Sequence, residues 1–108
     1  MSLIIKNNAT TTLSADISST AVSVAVTDGT VFPALGGSDY FYATIQSTGN
    51  AYEIVKVTAL ATNTLTVVRA QEDTIAIPFT SGSRIELRVT KKNLDDLLVD
   101  ALANVLLI

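Results

Sequence analysis

The chain has no cysteine, no histidine and no tryptophan, and only 2 prolines, 5 glycines and 16% charged residues in 108 positions. Without cysteine there are no disulfides, thiolate nucleophiles or thiolate metal sites, so packing alone must hold the fold. Without histidine the commonest general base is missing, together with the usual serine or cysteine nucleophile pairings. Catalysis would rest on carboxylates, lysine or tyrosine, and the 10 acidic residues are scattered over turns and strand faces. With 7 basic residues and a net charge of -3, the chain carries no basic stripe for nucleic acid. The apolar C-terminal run is broken by Asp100 and Asn104 and falls short of the ~20 residues a bilayer requires. Met1 to Lys6 is too short for the apolar region of a signal peptide. These absences lead to an expected non-enzyme with no cofactor, metal, nucleic acid, membrane or small-molecule substrate.

Apolar residues are abundant instead. They make up 48% of the chain, and the mean hydropathy of +0.44 is high for a small soluble domain. The length suits one domain. Residues 1–90 read as a β-domain and residues 91–108 as a C-terminal helix.

The β-reading rests on alternation. Thr10-Thr11-Thr12-Leu13 predicts a short first strand, and Val22, Val24 and Val26 fall on one face of a second. Val31, Phe32 and Leu35, set among Pro33, Gly36 and Gly37, predict a loop pinned by its own apolar residues at one end of the core. Residues 40–46 alternate, with Phe41, Ala43 and Ile45 on one face and Tyr40, Tyr42 and Thr44 on the other. A Gly49-Asn50 turn returns the chain as residues 51–58, and the Ala61-Thr62-Asn63 turn leads into residues 64–69. A last strand over residues 84–89 places Ile85, Leu87 and Val89 opposite Arg84, Glu86 and Arg88. The predicted fold is mainly β, a small antiparallel barrel or sandwich of about six strands with one C-terminal α-helix.

After Thr90 the period changes. Leu94, Leu98, Ala101, Val105 and Ile108 are spaced four, three, four and three residues apart, the stripe of a coiled-coil seam, and Leu97, Leu102 and Leu106 widen it. These five residues are the candidate interface. Two uses compete: the helix closes the open end of its own barrel, or it is covered by a partner. Asn93 is the expected N-cap in preference to Thr90, since Asp95 and Asp96 would then lie in the first turn.

Three weaker constellations carry chemistry. Glu72-Asp73 is a candidate cation loop, although it lacks the alternating oxygen ligands of a calcium loop. Arg84, Glu86 and Arg88 form a charged row on one strand face. Tyr40 and Tyr42, with Tyr52 returning in the hairpin, would serve as a sugar-stacking platform, against cross-strand packing as the plainer reading.

Several segments together resemble a known family. Asp39-Tyr40-Phe41-Tyr42-Ala43-Thr44, Tyr52-Glu53-Ile54-Val55-Lys56-Val57-Thr58, Leu65-Thr66-Val67-Val68-Arg69-Ala70-Gln71-Glu72-Asp73-Thr74 with Phe79, and Gly82-Ser83-Arg84-Ile85-Glu86-Leu87-Arg88-Val89-Thr90 look like a small β-module of tailed-bacteriophage structural proteins, often found near the start of tail fibres. Asn7-Asn8-Ala9-Thr10-Thr11-Thr12-Leu13 extends the likeness to about residues 7 to 98. The Val67-Val68-Arg69-Ala70-Gln71-Glu72 stretch is its most specific part. Family members commonly carry glycine where this chain has Asp73. The resemblance implies a virion component without enzymatic activity, made in the host cytoplasm, assembling as a homotrimer and contacting other virion proteins on the tail or head exterior. A copy that stops at Ile108 is expected to be a tail adaptor or short fibre; a capsid decoration (cement) protein and a carbohydrate-binding adhesin are the alternatives.

Overall fold

In the computed structural model, residues 3–106 are described, with side chains from residue 3 to residue 102. Six strands form one antiparallel sheet: β1 (Thr10–Thr12), β2 (Ser23–Ala25), β3 (Phe41–Gln46), β4 (Tyr52–Ala61), β5 (Thr64–Gln71) and β6 (Arg84–Glu86). Their spatial order is β1-β6-β3-β4-β5-β2. The sheet curls into a half-barrel whose two edge strands approach each other. Leu13 bridges Val26, the Ser14 amide donates to the Ala25 carbonyl at 3.0 Å, and the Thr27 amide donates to the Thr12 carbonyl at 2.9 Å. The mainly β fold with one C-terminal helix, α1 (Lys91–Leu106), is the one the sequence predicts.

The core lies inside the curl. Phe41, Ala43 and Ile45 of β3 stand opposite Val57, Val55 and Glu53 of β4, while Ile45 also faces Ile85 and Val57 faces Val67. Leu65 and Val24 complete the layer from the far edge. The apolar loop behaves as expected: Phe32 is buried and stacks on Phe41 with ring centroids 5.3 Å apart. The interior also holds a carboxylate, because Glu53 follows the alternation of Val55 and Val57 inward.

Two strands are shorter than predicted. In β2, Val24 and Val26 point into the core but Val22 is exposed, since the chain has reached the open edge of the sheet there. In β6, regular pairing stops at Glu86, and Val89 is 89% exposed rather than part of an apolar strand face.

The turn that follows β5 has a defined geometry at Glu72 and Asp73. The Thr74 amide donates to the Gln71 carbonyl at 3.0 Å, and the two central residues, Glu72 and Asp73, have φ of 52° and 64°. Both positive values define a type I′ turn. Asp73 thus adopts the left-handed conformation that glycine takes most easily. Elsewhere Gly29 is required by space: a Cβ there would lie 2.1 Å from the Thr62 carbonyl oxygen.

Candidate assembly interface

The helix begins one residue after Thr90, and Thr90 is its N-cap. The Thr90 hydroxyl accepts from the Asn93 amide at 3.2 Å, and its carbonyl accepts from the Leu94 amide at 3.0 Å. Glu72 Oε1, brought in by the type I′ turn, accepts from the Lys92 amide at 2.8 Å. This corrects the expected cap at Asn93. Lys91 and Lys92 do occupy the first turn, where cations oppose the helix dipole. Glu72 offsets that charge, as do the i,i+4 pairs Lys91–Asp95 at 2.6 Å and Lys92–Asp96 at 3.1 Å.

Asn93 is occupied elsewhere. Its side chain is buried against β3, where Oδ1 accepts from the Tyr42 amide at 3.4 Å and Nδ2 donates to the Tyr42 carbonyl at 3.3 Å and the Arg88 carbonyl at 2.7 Å. β6 pairs with β3 through Gln46↔Arg84, Ile45↔Ile85 and Thr44↔Glu86. Continuing that register would set Arg88 opposite Tyr42. The Asn93 carboxamide takes this place and satisfies both backbone groups of Tyr42 where β6 turns away, which is why β6 ends before Val89.

Two more polar contacts continue the seam one and two turns on. The Tyr40 hydroxyl donates to Asp96 Oδ2 at 2.6 Å, and the Leu3 amide donates to Asp100 Oδ2 at 3.2 Å. Burial pushes the Asp96 carboxyl up, but hydrogen bonds from Tyr40 and Lys92 and the nearby Lys56 charge outweigh it, leaving Asp96 below its ordinary value. Burial first, and then the hydrogen bond to Asp96, drive the Tyr40 phenol well above its ordinary value. Lys56 Nζ sits 4.6 Å from the centre of the Tyr40 ring.

The helix therefore docks through its polar side. At about 100° per residue, Asn93, Asp96 and Asp100 cluster within about 60° of one another, and Leu98 and Leu102 lie on the opposite side. Leu94, Leu97, Leu98, Val99, Ala101 and Leu102 are all exposed, Leu98 at 58%. The helix covers its own sheet with hydrogen bonds and leaves Leu94, Leu98 and Ala101 outside. Of the five candidate interface residues, Leu94, Leu98 and Ala101 are brought onto this outward face. The side chain of Val105 and the whole of Ile108 lie outside the described residues.

The weaker constellations resolve differently. The three tyrosines form no platform, because Tyr40 and Tyr42 are buried beneath α1 in a T-shaped pair, whereas Tyr52 stands 56% exposed opposite Gln46 at the far end of the hairpin. Two of the three are thus withdrawn from any ligand. Within the charged row Glu86 pairs with Arg84 at 3.1 Å and Arg88 at 3.4 Å, and Arg88 also donates to Gln46 at 2.5 Å. Glu72 and Asp73 form the turn that caps the helix, and among the described residues no group of three or more acidic side chains is placed to hold a metal ion. No helix among those residues is long and apolar enough to cross a membrane.

One polar cluster escapes the sequence reading. Inside the curl Glu53 is 0% exposed and accepts from Arg69 Nε and Nη2, both at 2.8 Å, and from the Ala70 and Ile77 amides at 2.9 and 3.0 Å. Arg69 also donates to the carbonyls of Ser18, Ala21 and Ile77. The signal is present in the alternation: Glu53-Val55-Val57 and Leu65-Val67-Arg69 each end an apolar face with a charge, and the charges are opposite.

No family model matches the chain, and no curated protein matches it.

Proposed function

We propose that this chain is a non-catalytic structural protein of a tailed-phage virion, a tail or tail-fibre component on the particle exterior. It assembles as a homotrimer and meets other virion proteins through the outward face of α1. The observation that carries the assembly reading is the orientation of that helix, whose Asn93, Asp96 and Asp100 are spent on its own domain while Leu94, Leu98 and Ala101 stand in water. Fully burying a leucine side chain contributes about 1.5–3 kcal/mol, so an apolar face of this size favours association. The virion setting is drawn from the resemblance, within which the buried Arg69 and the turn at Glu72–Asp73 give the most specific stretch a structural role.

Light scattering on the purified protein tests it. The expected result is a trimer that Leu98→Asp converts to a folded monomer. A monomeric wild-type protein that also fails to bind purified particles would overturn the reading. Copy number on particles then separates a tail component, present in multiples of three or six, from a head decoration protein present in hundreds.

A further inference from the structure

The β-domain is complete without its helix. Its core runs from Leu3 to Ile85, with Leu87 packed against it, and holds no residue of α1 among the described ones. The edges of the curl close on each other through Leu13 and Val26, again without the helix. Among the described side chains of α1 only Asn93 is buried, and every apolar one from Leu94 to Leu102 is exposed. What holds the helix is polar: the Asn93 carboxamide on Tyr42 and Arg88, Asp96 under the Tyr40 hydroxyl, Asp100 on the Leu3 amide, and Glu72 on the Lys92 amide. The two bonds to the Tyr42 backbone are long, 3.4 and 3.3 Å. On the neighbouring flank the helix stands off from the domain. An open groove of about 460 Å³ separates Leu94 and Leu97 of α1 from Ile5 and Leu87.

We infer that α1 is a hinged strap, which undocks from the folded β-domain as one body and uncovers Tyr40, Tyr42 and the open rung of β3. Hydrogen bonds between helix and sheet are exchanged for bonds to water on release, whereas releasing a helix packed by leucine would carry apolar surface into water. The leucines of α1 are already there. The apolar surface that release exposes is chiefly the Tyr40–Tyr42 pair, with Lys56 beside it. Release is concerted, because Asn93, Asp96 and Asp100 lie within about 60° on one side of a single rod. The hinge follows Leu87, whose amide still donates to the Ala9 carbonyl. Beyond it Val89 is exposed, and the Arg88 carbonyl is held by Asn93 itself, so losing that side chain frees the pivot together with the helix. The strap is a property of one chain and does not rest on self-assembly.

Native-state hydrogen exchange of the full chain tests it, at dilutions where the rates no longer depend on concentration. A free helix of 16 residues is marginal in water, so each undocking lets the α1 amides exchange. The expected result is one shared protection level along α1, about a hundredfold or more below that of β4 and β5. Nitration by tetranitromethane reads the same opening from the sheet side, with the three tyrosines of the chain as reporters. Exposed Tyr52 should react first, and Tyr40 and Tyr42 should follow while β4 and β5 remain protected. Tyr40→Phe removes the hydroxyl that meets Asp96, and should speed exchange in α1 several-fold with β4 and β5 unchanged. Protection in α1 equal to that of β4 and β5, a gradient along α1 in place of one level, or nitration of Tyr40 and Tyr42 only as the sheet itself opens would overturn the strap.

Discussion

Arg69 grips Glu53 with two parallel hydrogen bonds of 2.8 Å inside a curl otherwise lined by valine, isoleucine, leucine and phenylalanine. The pair is saturated by backbone groups: Glu53 takes two amides from residues 70 and 77, and Arg69 reaches three carbonyls on the 18–21 and 77 loops. One ion pair thus ties two connections to the sheet. Removing a single partner from such a pair leaves a buried charge uncompensated, at a cost of about 3–5 kcal/mol. Arg69→Ala is therefore expected to lose that much stability in denaturant titration. Arg69→Lys should recover little of it, because a lysine lacks the fork that reaches both carboxylate oxygens. A loss below about 1 kcal/mol in Arg69→Ala would contradict the role assigned.

Acid should weaken the fold through its depressed carboxylates, Glu53 and Asp96 among them. Burial raises Glu53, but its hydrogen bonds from Arg69, Ala70 and Ile77 hold it below its ordinary value of 4.5, and Asp96 lies below its ordinary 3.8. A group whose value is depressed in the folded state contributes stability that is complete above its unfolded value and lost as the pH falls through the folded one. Stability measured from pH 7 downward should stay level to about pH 5 and then decline. Asp96→Asn should flatten the part of this decline below pH 4. An identical slope in that variant would exclude Asp96 as a source.

At Asn93 the amide itself should be needed, since one end accepts and the other donates. Asn93→Asp keeps the shape but loses both donated bonds, and Asn93→Ala leaves the Tyr42 backbone groups unpaired. Each is expected to cost about 1–3 kcal/mol and to raise amide hydrogen exchange across the first two turns of α1. Equal protection in wild type and both variants would show that the helix is held by other contacts.

Leu98→Asp tests the opposite side of the same helix. The side chain stands in water, so the folding stability of the monomer should change by no more than about 0.5 kcal/mol, while the proposed oligomer should dissociate in sedimentation. If the substitution unfolds the domain, Leu98 is a core residue and the outward face is misassigned.

Asp73→Gly should stabilise the protein by about 0.5–1 kcal/mol, because a residue with a side chain occupies the second left-handed position of a type I′ turn. Thermal melting measures it. A destabilised variant would mean that Asp73 makes a compensating contact.

The alternation of residues 40–46, 51–58 and 64–69 made the meander legible, because a half-buried strand repeats every two residues whatever its neighbours are. The four-three spacing from Leu94 likewise marked a helix with an apolar face. What spacing could not show was which face the domain would take. An amphipathic helix ordinarily lays its apolar stripe on the core, and here the open rung at Tyr42 and the Tyr40 hydroxyl demand polar partners instead. Asn93 looked like a cap for the same reason: its value to β3 depends on where β6 departs, a fact of tertiary structure. Glu53 and Arg69 were missed because a buried ion pair needs two strands in register, and the β4–β5 ladder carries two irregularities that adjust that register.

The strand order also dictates a timetable for the nascent chain. β3, β4 and β5 are neighbours in sequence and in space, so they can zip together through short loops as soon as they emerge. β1 precedes them in the chain, yet its ladder partner is β6, which follows them, with Thr10 opposite Glu86. This ladder must therefore wait for residues 84–86, with only the contacts around Leu13 and Val26 open to the β1 segment before then. The loop of chain between β1 and β6 is the entropic barrier that sets the last step of folding, and α1 can take Leu3 and Tyr40 under its polar side only after that step.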